Sequence, residues 1–384
     1  MKLAFCLYKY FPFGGMQRNF LKIAKECANR GHEITVYTMI WEGERPDFLD
    51  IVIVHVNSIS SVNKYKKFSR WLNKNLKYES IDLMVGFNKI PDLDIYYCGD
   101  PCYEHKSRNL RPWWYRYTPR YKHFARFERA VFGQGAGVDI LMFSPIQKKL
   151  FQDFYNTESS KIHMLPPGIS RDRCASVGSI DVRKSFRKEF ELADDTILLL
   201  QIGSGFRTKG LDRSLNAVSA LPLKLKNRTK FFVIGQDDPK EFVSIAKKLG
   251  ISSLVTFFSG RGDIPRFLQG SDILLHPSYA ENTGGVILEA MVAGLPSIVT
   301  DVCGYAHYVN EAKAGILLET PYSQDIFNKR LEEMLLADKL KWKENGINFA
   351  NGADIYDMPK KAVDVIDQVI EKTWIKKNWK DRVE

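Results

Sequence analysis

The chain has 384 residues, 45% hydrophobic and 26% charged, with a net charge of +11. That length holds two domains with separate cores, and no apolar run approaches the ~20 residues of a membrane-spanning helix. Six scattered cysteines, with Cys98 and Cys102 the one close pair, argue against both a disulfide scaffold and a zinc site.

The opening residues carry too short an apolar run for a signal peptide, so a cytoplasmic protein is expected. They read instead as a strand over 3–8, a loop, a helix over 17–29 closed by Arg30-Gly31, and a strand over 33–38, a βαβ unit. Further strands are expected at 51–56, 82–86 and 94–98. After Leu165-Pro-Pro-Gly168, the best linker candidate, the plan repeats with strands at 196–202, 230–234, 254–258, 272–275 and 297–300, and a helix over 239–249. Such alternation predicts an α/β protein of two Rossmann-like, doubly wound domains facing across a cleft. The expected division is 1–166 and 167–355, with a terminal helix over 356–384 crossing back to the first domain. Ligands in such sheets bind outside the carboxyl ends of the strands.

Glu281 and Glu289 lie eight residues apart in a segment that reads as strand, glutamate, Asn-Thr-Gly-Gly, apolar helix and glutamate. With a helix over 284–293, Glu281 sits at its start and Glu289 about two turns in. At ~1.5 Å per residue they are about 12 Å apart along the axis, the reach from a sugar across a diphosphate to a ribose. The backbone N–H groups of Asn282, Thr283, Gly284 and Gly285 lie between them and suit an anion. A carboxylate inside Val-Ile-Leu-Glu-Ala-Met needs donors, which ribose hydroxyls would supply.

Two glycine-bearing loops follow strands. Phe13-Gly-Gly-Met-Gln-Arg18 fits either a tight turn or a ligand loop at Gly14 and Gly15. It matches neither Gly-x-Gly-x-x-Gly nor Walker A. In Gly203-Ser-Gly-Phe-Arg-Thr-Lys-Gly210, Arg207 and Lys209 beside a glycine turn suit a leaving diphosphate, or are solvated loop cations. Arg173 and Arg261 are weaker candidates of the same kind. Asp100, in Cys98-Gly-Asp-Pro101, is either an acceptor-facing carboxylate or a turn aspartate.

The order Gly-Ser…Arg-x-Lys-Gly, Ser-Gly-Arg, Glu-x7-Glu and a Cys-Gly at 303, with Phe-Gly-Gly after the first strand, resembles the retaining glycosyltransferases of family 4, which have the GT-B fold. The likeness runs nearly the whole chain. Long strings such as Ala4-Phe-Cys-Leu-Tyr-Lys-Tyr-Phe-Pro-Phe-Gly-Gly15 and Val302-Cys-Gly-Tyr-Ala-His-Tyr308 extend it to members that add glucose to a heptose of the lipopolysaccharide inner core. The resemblance implies a UDP-sugar donor, a lipopolysaccharide acceptor and no metal. It implies that Glu281 binds the donor sugar, Glu289 the ribose, and that Arg207, Lys209 and Arg173 neutralise the diphosphate. Asn282, Thr283 and Gly284 would touch sugar and phosphate through backbone. Gly203, Thr208, Gly14, Gly15 and Asn19 would line the donor site, with Arg261 near the uracil. Three positions depart from the pattern: the arginine of Arg207-Thr-Lys-Gly stands one place early, Asn19 replaces an aspartate, and Gly285 replaces a branched apolar residue. Another donor sugar such as galactose, GlcNAc or GalNAc, another lipid-linked acceptor, and a UDP-sugar 2-epimerase of the same fold are the alternatives.

Residues 103–130 hold a net +6 of the chain's +11, with eight aromatics interleaved. Basic residues attract anionic headgroups and Trp and Tyr favour the membrane interface. Trp113, Trp114, Arg116, Arg120, Lys122 and Arg126 are therefore expected to dock on the inner face of the membrane, a solvated basic face being the alternative. No motif for nucleic acid accompanies the cluster. His123 reads as a surface histidine. The tail Lys372-Thr-Trp-Ile-Lys-Lys-Asn-Trp-Lys380 repeats the composition.

Overall fold

The structure is a computed structural model that describes residues 1–12, 14–76, 80–175 and 178–380, the last five of these by backbone alone. Phe13 of the first glycine loop, residues 381–384 of the expected terminal helix and the side chains of residues 376–380 lie outside the described residues. The chain forms two compact units, Met1–Gly168 with Asp357–Glu384, and Ile169–Tyr356.

The first unit is built on seven parallel strands: β1 (Lys2–Tyr10), β2 (Glu33–Trp41), β3 (Asp50–Ile53), β4 (Leu83–Gly86), β5 (Ile95–Tyr97), β6 (Asp139–Met142) and β7 (Ile162–Met164), in the order β3-β2-β1-β4-β5-β6-β7. β1 is an inner strand, with Leu3 opposite Ile34 on one side and Leu83 on the other. Its run Leu3 to Leu7 is wholly buried, as expected of a strand covered on both faces. The terminal helix Met358–Lys380 belongs to this unit. Arg30 binds its Asp364 and Asp367 at 2.7 and 3.0 Å, and His32 meets Asp367 at 2.9 Å.

The second unit has six parallel strands: β8 (Ile197–Ile202), β9 (Thr229–Ile234), β10 (Val255–Phe258), β11 (Ile273–His276), β12 (Ser297–Thr300) and β13 (Gly315–Leu318), in the order β10-β9-β8-β11-β12-β13. Successive residues of a strand face opposite sides of the sheet. Leu199, Phe231, Val233, Ile273 and Leu275 accordingly join one core, while Leu198, Leu200, Phe232, Ile234 and Leu274 join the other. Two cores on two faces explain why these strands read as continuous apolar runs. β6, β7 and β13 were not anticipated.

The basic aromatic segment folds into a helix, Tyr103–Asn109, a turn, Trp113–Tyr117, and a helix, Pro119–Phe132. Thr118 caps the last, accepting from Tyr121 N at 3.2 Å, with Pro119 at its first position. Glu128 is fully buried and accepts from Tyr103 N (2.8 Å), Glu104 N (3.0 Å) and Tyr155 Oη (2.7 Å), and it pairs with Lys89. It thus closes the start of the Tyr103–Asn109 helix with a charge-assisted cap.

Candidate active site

In the second unit the chain leaves β8 through Gly203, Gly205 and Gly210, at φ of 133°, 82° and 69°, and enters the helix Leu211–Ser219. A Cβ on Gly210 would stand 2.0 Å from the carbonyl oxygen of Pro277, so this loop is pressed backbone to backbone against the loop after β11. Tyr279 N donates to Thr208 O at 2.9 Å. Arg213 donates to the carbonyls of Pro277 and Ser278 at 3.1 and 3.2 Å, with its guanidinium 3.6 Å from the Tyr279 ring and 3.7 Å from Tyr322. The two loops are locked together, and as a result the Lys209 ammonium pairs with the Glu281 carboxylate.

His276, the last residue of β11, is 0% exposed and brings Nε2 to 3.4 Å from Glu281 Oε2. Burial, helped by the Lys209 charge, pushes its pKa well below that of a free histidine. The ring is therefore neutral. Sequence reasoning gave His276 no role; the available signal was a polar residue closing an otherwise apolar buried strand five residues before Glu281.

The helix after Glu281 is Gly285–Val292, shorter than expected, because Gly284 takes a left-handed φ of 79°. Glu281 consequently lies in the loop, and Glu289 stands little more than one turn into the helix. The spacing of about 12 Å along a shared axis does not apply, since only one of the two is helical. Glu289 and Asn282 are both buried. Thr283 O accepts from Tyr305 N at 2.8 Å. A Cβ on Gly285 would meet no atom within 4 Å, so the start of this helix has open space beside it.

The other cations differ in setting. Arg207 has a side chain 78% exposed and pairs with Glu241, not with the Lys209–Glu281 group. Arg173 is 7% exposed, in a turn that packs on the Gly285–Val292 helix and is tied to it by Ala175 N to Val292 O at 2.9 Å. Its Nε lies 3.7 Å from Asp172 and its Nη1 makes no hydrogen bond among the described residues. A buried guanidinium so poorly matched suits an incoming anion. Arg261 is held by Asp263 in a two-point bond of 2.7 and 2.8 Å and lies 4.8 Å from the Phe267 ring, leaving its backbone for other contacts.

In the first unit, Gly14 caps the helix Gly15–Asn29. A Cβ there would lie 1.9 Å from Gln17 Oε1, whose amide Nε2 donates to Lys9 O at 3.2 Å. A Cβ on Gly15 would meet nothing within 4 Å. Asn19 donates to the Tyr97 hydroxyl at 2.7 Å. Asp100 is exposed just beyond β5. These residues gather at the carboxyl ends of β1 and β5.

On the basic segment Trp113 is 71% exposed, and Trp114, Tyr117, Arg120, Lys122 and Arg126 are exposed as well; Arg116 is half-buried. Other aromatics turn inward: Tyr121 Oη donates to Glu104 at 2.6 Å and Tyr103 meets Tyr115 at 2.8 Å. His123 is a correction. It is buried, packed on Phe127 at 4.2 Å, and burial pushes its pKa down to about 4. It lies on the inner face of its helix, one turn before Phe127, and so follows the core face and not the basic one. Among the described residues no helix is long and apolar enough to cross a membrane, and no group of three His, Cys, Asp or Glu side chains is placed to hold a metal ion.

Residues 182–349 match the family described as glycosyl transferases group 1. Lipopolysaccharide glucosyltransferase WaaG of Escherichia coli (strain K12) is 44% identical over 368 residues, covering 95% of this chain and 98% of that protein. The crystal structure of WaaG, a glycosyltransferase involved in lipopolysaccharide biosynthesis, matches with a TM-score of 0.92 at 43% identity, over 95% of this chain and 99% of that one. Anabaena HepE in complex with UDP-glucose shares the fold, with a TM-score of 0.71 at 18% identity, over 96% of this chain and 100% of that one. With two parallel sheets covered by helices and a likeness of this depth over both units, the chain belongs to the group 1 glycosyltransferases and has their GT-B fold.

Proposed function

We propose that this enzyme transfers glucose from UDP-glucose to a heptose of the lipopolysaccharide inner core, with retention, at the cytoplasmic face of the membrane. The observation that carries the reading is the Lys209–Glu281 pair, held between two locked strand-end loops in a chain 44% identical to the E. coli lipopolysaccharide glucosyltransferase. In the transfer, the bond from sugar C1 to the diphosphate breaks. The acceptor hydroxyl bonds to C1 on the face the diphosphate leaves, and its proton passes to the departing phosphate oxygen.

Negative charge grows on the diphosphate as that bond lengthens, and preset cations lower the barrier most. Lys209 supplies one; the buried Arg173, and Arg207 once it leaves Glu241, supply the others. Once the ammonium turns to phosphate, Glu281 is released to accept from the sugar hydroxyls. Glu289 takes the ribose. Gly203, Thr208, Asn282, Thr283 and Gly284 line sugar and phosphate, and Arg261 offers backbone to the uracil. In the first unit, Gly14, Gly15 and Asn19 serve the donor and Asp100 orients the acceptor. Trp113, Trp114, Arg116, Arg120, Lys122 and Arg126 dock the protein on anionic lipid, where the acceptor is anchored. The open space at Gly285 favours, as a second reading, a donor with a larger substituent such as an N-acetyl group.

The test is incubation of purified protein with a panel of UDP-sugars and truncated lipopolysaccharide, followed by product mass analysis. A hexose added to the inner core is expected, strongest with UDP-glucose. Donor hydrolysis or epimerisation without acceptor modification would overturn the reading. Glu281→Gln and Lys209→Ala are each expected to lower turnover by ~10²-fold or more.

A further inference from the structure

We propose that His276 is a positioning residue for Glu281: its Nε2–H is the donor that keeps the carboxylate in place when Lys209 turns to the leaving diphosphate. The inference rests on the assignment of Glu281 to the donor sugar.

The two residues differ in how firmly they are held. His276 ends β11, a strand hydrogen-bonded on one side to β8 and on the other to β12, where His276 itself stands opposite Val299. Its side chain is wholly enclosed. Glu281 lies in a loop, and among the described residues its carboxylate meets the Lys209 ammonium and the His276 imidazole. The ammonium sits on a flexible stem and is drawn toward the larger charge of the diphosphate, so its hold on the carboxylate loosens as the donor binds. When it leaves for the phosphate, the imidazole is the partner that stays, because its backbone has no freedom to follow.

The ring's chemistry agrees. Facing a carboxylate, Nε2 must carry the proton, since the other tautomer would set two lone pairs against each other. Nδ1 makes no hydrogen bond among the described residues. An aromatic hydrocarbon of similar volume would fill this buried place without leaving a polar atom unmet. The imidazole is therefore not explained by packing, and among the described residues its one polar contact is with Glu281. Enclosure in the core keeps the ring neutral, so it is a fixed donor and not a proton carrier. The present 3.4 Å separation is long, as expected while Lys209 holds the carboxylate, and it closes in the substrate complex.

The experiment compares His276→Phe, His276→Gln and Glu281→Gln in the full chain, with UDP-glucose and truncated lipopolysaccharide. The readouts are kcat, KM for the donor, the pH profile of kcat and thermal unfolding. His276→Phe is expected to lower kcat by ~10–10²-fold, the cost of a carboxylate out of place, with KM little changed. It also moves the acidic limb of the kcat profile to higher pH, because Glu281 loses a donor to its charged form. His276→Gln, which keeps an N–H donor, restores most of kcat and returns the limb. Wild-type kcat and limb in His276→Phe overturn the inference. So does an equal loss in Phe and Gln variants that tracks a fall in unfolding temperature with no shift of the limb. An active Glu281→Gln would instead sink the underlying assignment of Glu281, whatever the His276 variants do.

Discussion

Gly210→Ala tests whether the contact between two loops builds the site. The residue has φ of 69°, and the new Cβ would stand 2.0 Å from Pro277 O and 2.9 Å from its carbonyl carbon. A left-handed non-glycine residue costs ~1–2 kcal/mol, and forcing a methyl against packed atoms adds ~1–3 kcal/mol. The total of about 2–5 kcal/mol corresponds to a fall of ~4–20 °C in unfolding temperature for a domain of this size. Relieving the overlap parts the loops by ~1 Å, which breaks the Tyr279 N to Thr208 O bond and separates Lys209 from Glu281; a misplacement of that size lowers turnover by ~10²-fold. Gly250→Ala isolates the conformational part, since Gly250 has φ of 70° and nothing within 4 Å of its Cβ. It should lose only ~1–2 kcal/mol and keep full activity. Thermal unfolding and glucosyl transfer of both variants decide the matter. If Gly210→Ala is as stable and as active as Gly250→Ala, the loop contact does not set the site.

Other perturbations follow from the same contacts. Arg207→Ala should leave the unfolding temperature unchanged, because its pair with Glu241 is exposed, while KM for the UDP-sugar rises in steady-state kinetics if the arginine serves the diphosphate. Glu128→Ala leaves the Lys89 ammonium and the Tyr103 and Glu104 amides without their carboxylate, and should cost about 3–5 kcal/mol in thermal or urea unfolding. Burial alone would raise the Asp139 pKa, but bonds from His163 (2.7 Å) and Lys161 (2.8 Å) outweigh it and hold the carboxyl below its ordinary value. Its contribution to stability is thus full above the unfolded carboxylate pKa of ~4 and lost as pH falls through the lower folded value. Asp139→Asn should flatten the acid limb of a stability-against-pH curve. Replacing Trp113 and Trp114 by Ala should weaken binding to anionic vesicles at low salt in a flotation assay, without loss of transfer to a soluble acceptor fragment.

The alternation of strands and helices was legible where a strand is a continuous apolar run bounded by polar or turn residues, as in Ile197 to Ile202. The site was legible in part. Glycines at a turn, a lysine after one strand and a glutamate after another can be read from the sequence; that β8 and β11 are neighbours in the sheet, so that Lys209 and Glu281 meet, comes from the topology. Direction cannot be read that way. Phe206 plunges into the core below the turn, and its backbone amide is fixed by Asp237 at 2.7 Å. The next residue is thereby turned outward, and Arg207 reaches Glu241. Two residues later Lys209, whose amide donates to Gly205 O at 2.9 Å, points back to Glu281. Arg207 and Lys209 look equivalent in the sequence, and the buried phenyl ring between two glycines makes them different. The same holds for His276, whose approach to Glu281 depends on a loop doubling back over the strand end that carries it. What spacing omits at this site is which backbone atoms touch, and those contacts decide which cation meets the carboxylate.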